Sequence, residues 1–214
     1  MTLVVTAYLE AARSAAALLA RPEVAQAWER PSALEGMTVG ALAVHLASEV
    51  LLVQDARRDR ARWSEDDPIP LLEHYRRSAW VTAGPDDQAN VSIRESAARD
   101  AAPGHAAMLT DVEAALADLE ALRDDTGQPT AVQMPWWAWS LSFEDFLVTR
   151  MMEIVVHSDD LAVSVDVEPP ELPGSVLEPV LSLLVGVATL RHGQAAVVRA
   201  LSRAERAPAS IAAF

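Results

Sequence analysis

Residues 142–165 read SFEDFLVTRMMEIVVHSDDLAVSV, and this stretch decides the fold. Ser142 is a helix N-cap residue, and Glu144 and Asp145 put negative charge where the helix dipole favours it. Apolar residues then recur at helical spacing as far as Val165. Into that apolar surface the chain sets Arg150, Glu153, His157 and Asp160. At roughly 100° per residue these four span only about 80° of the helix circumference, so they form one polar stripe. Glu153 and His157 are an (i, i+4) pair, with carboxylate and imidazole converging on one point. Such a stripe is costly to bury unless its members bind one another or something else.

Helical periodicity continues outward from this segment. Residues 2–20 place Leu3, Ala7, Leu9, Ala12, Ala16 and Leu19 near one stripe. Pro31 and Gly36 punctuate the next connection, and Thr38 caps a second helix predicted to run to about residue 62. SEDDPIP is a loop, residues 71–81 a short helix, and residues 86–123 a third long helical region with a kink or break at Pro103-Gly104. DDTG, at 124–127, reads as an ordinary turn. Residues 127–141, GQPTAVQMPWWAWSL, carry proline, β-formers and three tryptophans and read as an extended crossover. VEPPELP ends the helix of the polar stripe, and residues 174–203 read as one or two further helices, broken at Gly193. The expected fold is all-α: an up-and-down four-helix bundle over residues 1–168, with a long crossover and a helical C-terminal extension over 169–214.

Composition narrows the function classes. The 214 residues carry Lys+Arg 17 against Asp+Glu 31, a formal net charge of −14, and every cationic residue is arginine. A nucleic-acid partner is not expected, because phosphate binding needs a basic footprint. Cysteine is absent, which removes disulfides, thiolate metal sites and cysteine nucleophiles together. No signal peptide opens the sequence, and fully apolar runs such as residues 183–188 fall short of the ~20 residues of a membrane span. A cytoplasmic location without a membrane partner is the expectation, and the apolar helix faces would suit a homodimer.

The second predicted helix supplies a counterpart to the stripe. His45 lies among Leu42, Ala43, Val44, Leu46 and Ala47, and Glu49 follows one turn later. His45, Glu153 and His157 together make a two-histidine, one-carboxylate set from two helices, which as a divalent-metal site leaves a coordination position open. Spacing alone leaves an internal network of polar pairs as the alternative. His74, beside Glu73 and two arginines, reads as part of a solvated face, His105 as a helix start and His192 as a helix end. Trp136, Trp137 and Trp139 read as closing one end of the bundle.

MTVGALAVHLASEV, residues 37–50, resembles the second-helix segment of the DinB-like metal-dependent bundles. TRMMEIVVHSDDLAVSV resembles the corresponding segment of the mycothiol-dependent maleylpyruvate isomerase branch, with glutamate as its first ligand. The resemblance spans roughly residues 5–165. It implies His45, Glu153 and His157 as ligands of a divalent metal, Zn2+ by preference, with Arg150 and Asp160 orienting the metal-bearing helix. Glu49 is the further candidate in the surrounding shell. It also implies mycothiol as cosubstrate, its thiol activated for transfer to, or isomerisation of, a small electrophile. Fuller members carry a separate C-terminal α/β domain, whereas residues 169–214 look like the helical tail of short relatives. The alternative function is a non-catalytic metal-binding bundle with a structural, regulatory or stress-related role, its site closed by Glu49 or Asp160.

Overall fold

Two of the long helices start at side-chain caps. Thr38 accepts a hydrogen bond from the Ala41 amide at 3.1 Å, starting α3 (Val39–Arg58). Ser142 accepts one from the Asp145 amide at 3.0 Å, starting α7 (Phe143–Val165). Each cap satisfies an amide that has no partner within its helix. Helix α7 ends where Asp166 turns left-handed at φ 57°, and Pro169 and Pro170 prevent its resumption. The computed structural model describes residues 3–81, 83–84, 86–120, 127 and 129–214. The turn expected at 124–127 falls outside them except for Gly127.

Four helices form the bundle: α1 (Leu3–Leu19), α3, α6 (His105–Glu120) and α7. Helix α7 packs between α1 and α3, while α6 closes the opposite side. Helices α3 and α7 therefore share a long interface, which is what brings residue 45 to residues 153 and 157. The core is built by Tyr8, Leu9, Leu42, Leu46, Leu119, Phe146, Leu147 and Met151, all fully buried. Helix α1 buries four alanines, Ala7, Ala11, Ala12 and Ala15, alongside Val5, Tyr8, Leu9, Leu18 and Leu19. Leu3, assigned to the same stripe from its spacing, is 89% exposed at the helix start, beyond the reach of the bundle.

The short helix α2 (Pro22–Gln26) leads into a close approach. Gly40 donates its amide to the Trp28 carbonyl at 2.8 Å, and a Cβ at position 40 would lie 2.6 Å from the Trp28 indole. The third helical region is two helices, α5 (Gln88–Asp100) and α6, separated around Gly104 at φ +90°. Glycine reaches that conformation without strain. Helix α5 packs on α3.

The crossover is extended, as its composition predicts, and it is anchored by a small sheet that the sequence did not suggest. Strand β2 (Ala131–Val132) pairs antiparallel with β1 (Trp63–Ser64) and with β3 (Leu141–Ser142). Trp63 stands opposite Val132, and Val132 opposite Leu141. Helix α4 (Leu71–Arg77) lies against α8 (Gly174–His192), where Leu72 seats on Gly186. Helix α9 (Gln194–Ser202) follows, broken from α8 at Gly193.

Helices α3 and α8 are each long and apolar enough, by length and composition alone, to cross a membrane. Counting uninterrupted apolar runs had not brought this out. The apolar window of α3 is 61% buried within the bundle, whereas that of α8 is 28% buried. The outer faces of α8 and α9 expose Leu181, Val185, Leu190, Val198 and Leu201.

Replacing Gly40 by alanine should destabilise the fold by about 1–3 kcal/mol, since the added methyl meets a packed indole. Chemical denaturation of the variant reads this directly. A variant as stable as the wild type would show that Trp28 yields freely.

Candidate metal centre

The polar stripe of α7 meets α3 at three levels. Lowest is Arg150, which pairs with Glu49 of α3; their side chains are only 12% and 3% exposed. The same guanidinium donates from Nε to Thr149 Oγ1 at 3.0 Å and lies 5.5 Å over the Phe146 ring. Tyr8 donates its hydroxyl to the Glu49 carbonyl at 3.1 Å, tying α1 to this point. Burial pushes the Glu49 carboxyl above the ordinary range even though the Arg150 charge opposes it. For Arg150, burial works against the charge, but Glu49 and Glu153 outweigh it and hold the guanidinium firmly protonated.

One turn higher, His45, Glu153 and His157 converge. Their ligand atoms all lie within 4.8 Å of one another, and no side chain of the three is fully enclosed. Glu153 Oε2 stands 3.2 Å from His157 Nε2, and the rings of His45 and His157 are edge to face with centroids 4.7 Å apart. At the third level Asp160 Oδ2 stands 3.0 Å from His157 Nδ1. His157 is thus held between two carboxylates, one at each ring nitrogen.

The two imidazoles are driven in opposite directions. Burial, reinforced by the charge on His157, lowers His45 to about 4, so this ring is neutral at pH 7. Burial also disfavours charge on His157, but its hydrogen bonds and attraction to Asp160 and Glu153 prevail and raise its pKa. Burial tends to raise Glu153, yet its bond to His157 and the nearby positive charges leave it below the ordinary carboxylate range. A neutral imidazole, an ionised carboxylate and a second imidazole whose Nδ1 is held by an aspartate form a donor set that can accept a divalent cation.

His74 is placed otherwise than its charged neighbours in the chain suggested. It is not on a solvated face: the residue is 3% exposed, with Trp139 donating its indole N–H to Nδ1 at 3.0 Å and the Trp137 ring centroid 4.6 Å away. Glu73, Arg76 and Arg77 form their own surface ion pairs on the outer side of the same short helix. The tryptophans also divide. Trp136 faces solvent, while Trp137 packs on Phe146 and Trp139 on His74. His105 Nε2 meets the Leu19 carbonyl at 2.7 Å and His192 Nε2 the Ala212 carbonyl at 2.8 Å, both as structural ties. Tyr75, which sequence reasoning passed over, is fully buried beside His74. Only the aromatic-rich crossover hinted at an enclosed neighbourhood, without naming its partner.

Arg150→Met removes one member of a buried pair and leaves the Glu49 carboxylate without its countercharge. The expected cost is about 3–5 kcal/mol, read by denaturant unfolding. A loss below 1 kcal/mol would mean that Glu49 simply takes up a proton. A second expectation concerns acid. Burial, with the Arg150 charge, depresses His74 from 6.5 to about 4. Its neutral form therefore adds stability above pH 6.5 that is lost as pH falls toward 4, at most about 3 kcal/mol. The stability of His74→Gln should fall less steeply between pH 6.5 and 4.5 than that of the wild type; equal slopes would refute this.

The family model described as the mycothiol maleylpyruvate isomerase N-terminal domain matches residues 8–162, which include every residue of the α3–α7 cluster. No curated protein and no solved structure matches the chain. The match covers more than half of the sequence, and the chain belongs to the mycothiol maleylpyruvate isomerase N-terminal domain family, a branch of the DinB-like bundles.

Proposed function

We propose that this protein is a divalent-metal-dependent enzyme that activates a low-molecular-weight thiol, mycothiol by family membership, for transfer to or isomerisation of a small electrophile. The observation that carries the proposal is the convergence of His45, Glu153 and His157 from two helices onto one partly open point. Their donor types fit a divalent ion, and zinc is the ion that the family resemblance implies. A metal bound there supplies Lewis acidity, which lowers the pKa of a thiol and holds it as thiolate.

The remaining work falls to the chain. Asp160 accepts from His157 Nδ1, which directs the Nε2 lone pair toward Glu153 and His45. Glu49 is engaged by Arg150 and Asp160 by His157, so neither is free to close the site as a fourth ligand. That supports a catalytic site over a closed structural one. Since the chain contains no cysteine, the nucleophilic sulfur comes with the cosubstrate. Reaction partners are accordingly a small thiol and a small electrophile, with the cytoplasm as the proposed compartment.

Elemental analysis of the purified protein tests this. About one divalent ion per chain is expected, and His157→Ala should lose it while remaining helical, because truncating one ligand leaves too few donors. Thiol titration of the cobalt-substituted protein should then change its visible spectrum. A metal-free protein whose melting is unaffected by chelator would overturn the proposal.

A further inference from the structure

On the side of α7 turned away from the metal cluster, the fold leaves a cavity of about 450 Å³. Val155, Ser158 and Asp159 of α7 form one wall, residues 169–172 of the proline-rich connection a second, and Leu177 of α8 the third. At roughly 100° per residue, positions 155, 158 and 159 lie about half a turn around the helix from 153, 157 and 160. The two places share a helix but no residue. Pro169 and Pro170 have fixed φ angles, which stiffens the second wall. The volume is within the range of sites that take small molecules.

The polar groups of this cavity are unengaged. Ser158 is 2% exposed, and its hydroxyl has no hydrogen-bond partner among the described residues. On the same helix Thr149 and Ser164 return theirs to backbone carbonyls at 2.7 and 2.6 Å. A buried hydroxyl left without such a bond is costly, which calls for a partner from outside the chain. Serine re-aims its hydroxyl by one rotation about χ1, so a group held back from water can still serve a ligand in the cavity. The carboxylates of Asp159 and Glu171 are exposed, and they too make no ion pair or hydrogen bond among the described residues. Among those residues no arginine or histidine lines the cavity, and the rest of its wall is hydrocarbon from valine, leucine and proline.

We infer that this cavity binds a small aliphatic ammonium ion, its charged end between Asp159, Glu171 and Ser158 and its carbon chain against the apolar walls. Three acceptors are what a primary ammonium requires, since it carries three N–H donors and accepts nothing. Two carboxylates without a countercharge repel an anion and attract a cation. A bare divalent cation fits less well: calcium takes about six to eight oxygen ligands, whereas most of this lining is hydrocarbon. The inference does not depend on the metal reading.

The test is calorimetric titration of the full chain with n-butylammonium chloride, and separately with n-butanol, tetramethylammonium chloride and calcium chloride. Saturable binding of butylammonium is expected, and none of butanol, which has the chain without the charge. Tetramethylammonium, which has the charge without N–H donors, should bind about tenfold more weakly. Ser158→Ala should weaken butylammonium about tenfold, the loss of one hydrogen bond from a charged donor. This variant should melt no lower than the wild type, because no protein hydrogen bond is removed. Asp159→Asn and Glu171→Gln should each weaken butylammonium about threefold, as befits exposed, screened carboxylates. Absence of butylammonium binding, equal binding of butanol or tetramethylammonium, or tighter binding of calcium each overturns the inference. So does a lower melting temperature of Ser158→Ala, since the hydroxyl would then serve the fold.

Discussion

Burying charge inside an apolar bundle is the constraint on which the rest of this structure depends. Arg150 and Glu49 sit in a core made mostly of valine, leucine, alanine, methionine and aromatic side chains, and neither is tolerable there alone. Their pairing fixes the rotation of α7 against α3, because a turn of either helix would leave a buried charge opposite hydrocarbon. Once that rotation is set, residues one turn further along α7 must face His45. The ion pair therefore stands beneath the cluster as its mechanical support, joined to α1 by the Tyr8 hydroxyl.

The cluster above it is electrostatically uneven in a useful way. His45 is made neutral by burial, while His157 is held between two carboxylates that favour its proton. Approach of a cation would replace that proton at Nε2 and keep the Asp160 contact at Nδ1, so the ring need not move. The proposed metal site would thus be organised before its ion arrives. The small crossover sheet serves the same end at a distance. By holding residues 131–142 against the end of α3, it delivers Trp137 and Trp139 to the side of α4.

The four bundle helices, their caps at Thr38 and Ser142 and the polar stripe of α7 were legible because each is written in local spacing. His45 with Glu153 and His157 was legible for a related reason: polar residues in an apolar periodic surface stand out, and family motifs agreed with them. His74 was misread because its neighbours in the chain, Glu73, Arg76 and Arg77, are surface residues. The short helix α4 presents them to solvent while turning His74 and Tyr75 inward. Leu3 erred the other way, apolar by type and stripe but beyond the end of its packing partners.

The sequence by itself determined that this chain makes helices, where they begin, and which side chains would be uncomfortable in their apolar faces. Helical period and capping act within a few residues, so they need no knowledge of the rest of the molecule. Tertiary structure alone decided which discomforts meet: Arg150 with Glu49, His45 with the pair at 153 and 157, and Trp139 with His74. Those meetings join residues 65 to 112 positions apart, and they depend on helix rotation and on a crossover anchored by a strand near residue 63. Such contacts are fixed by packing and by the cost of unpaired buried polar groups, neither of which has a local signature in the chain.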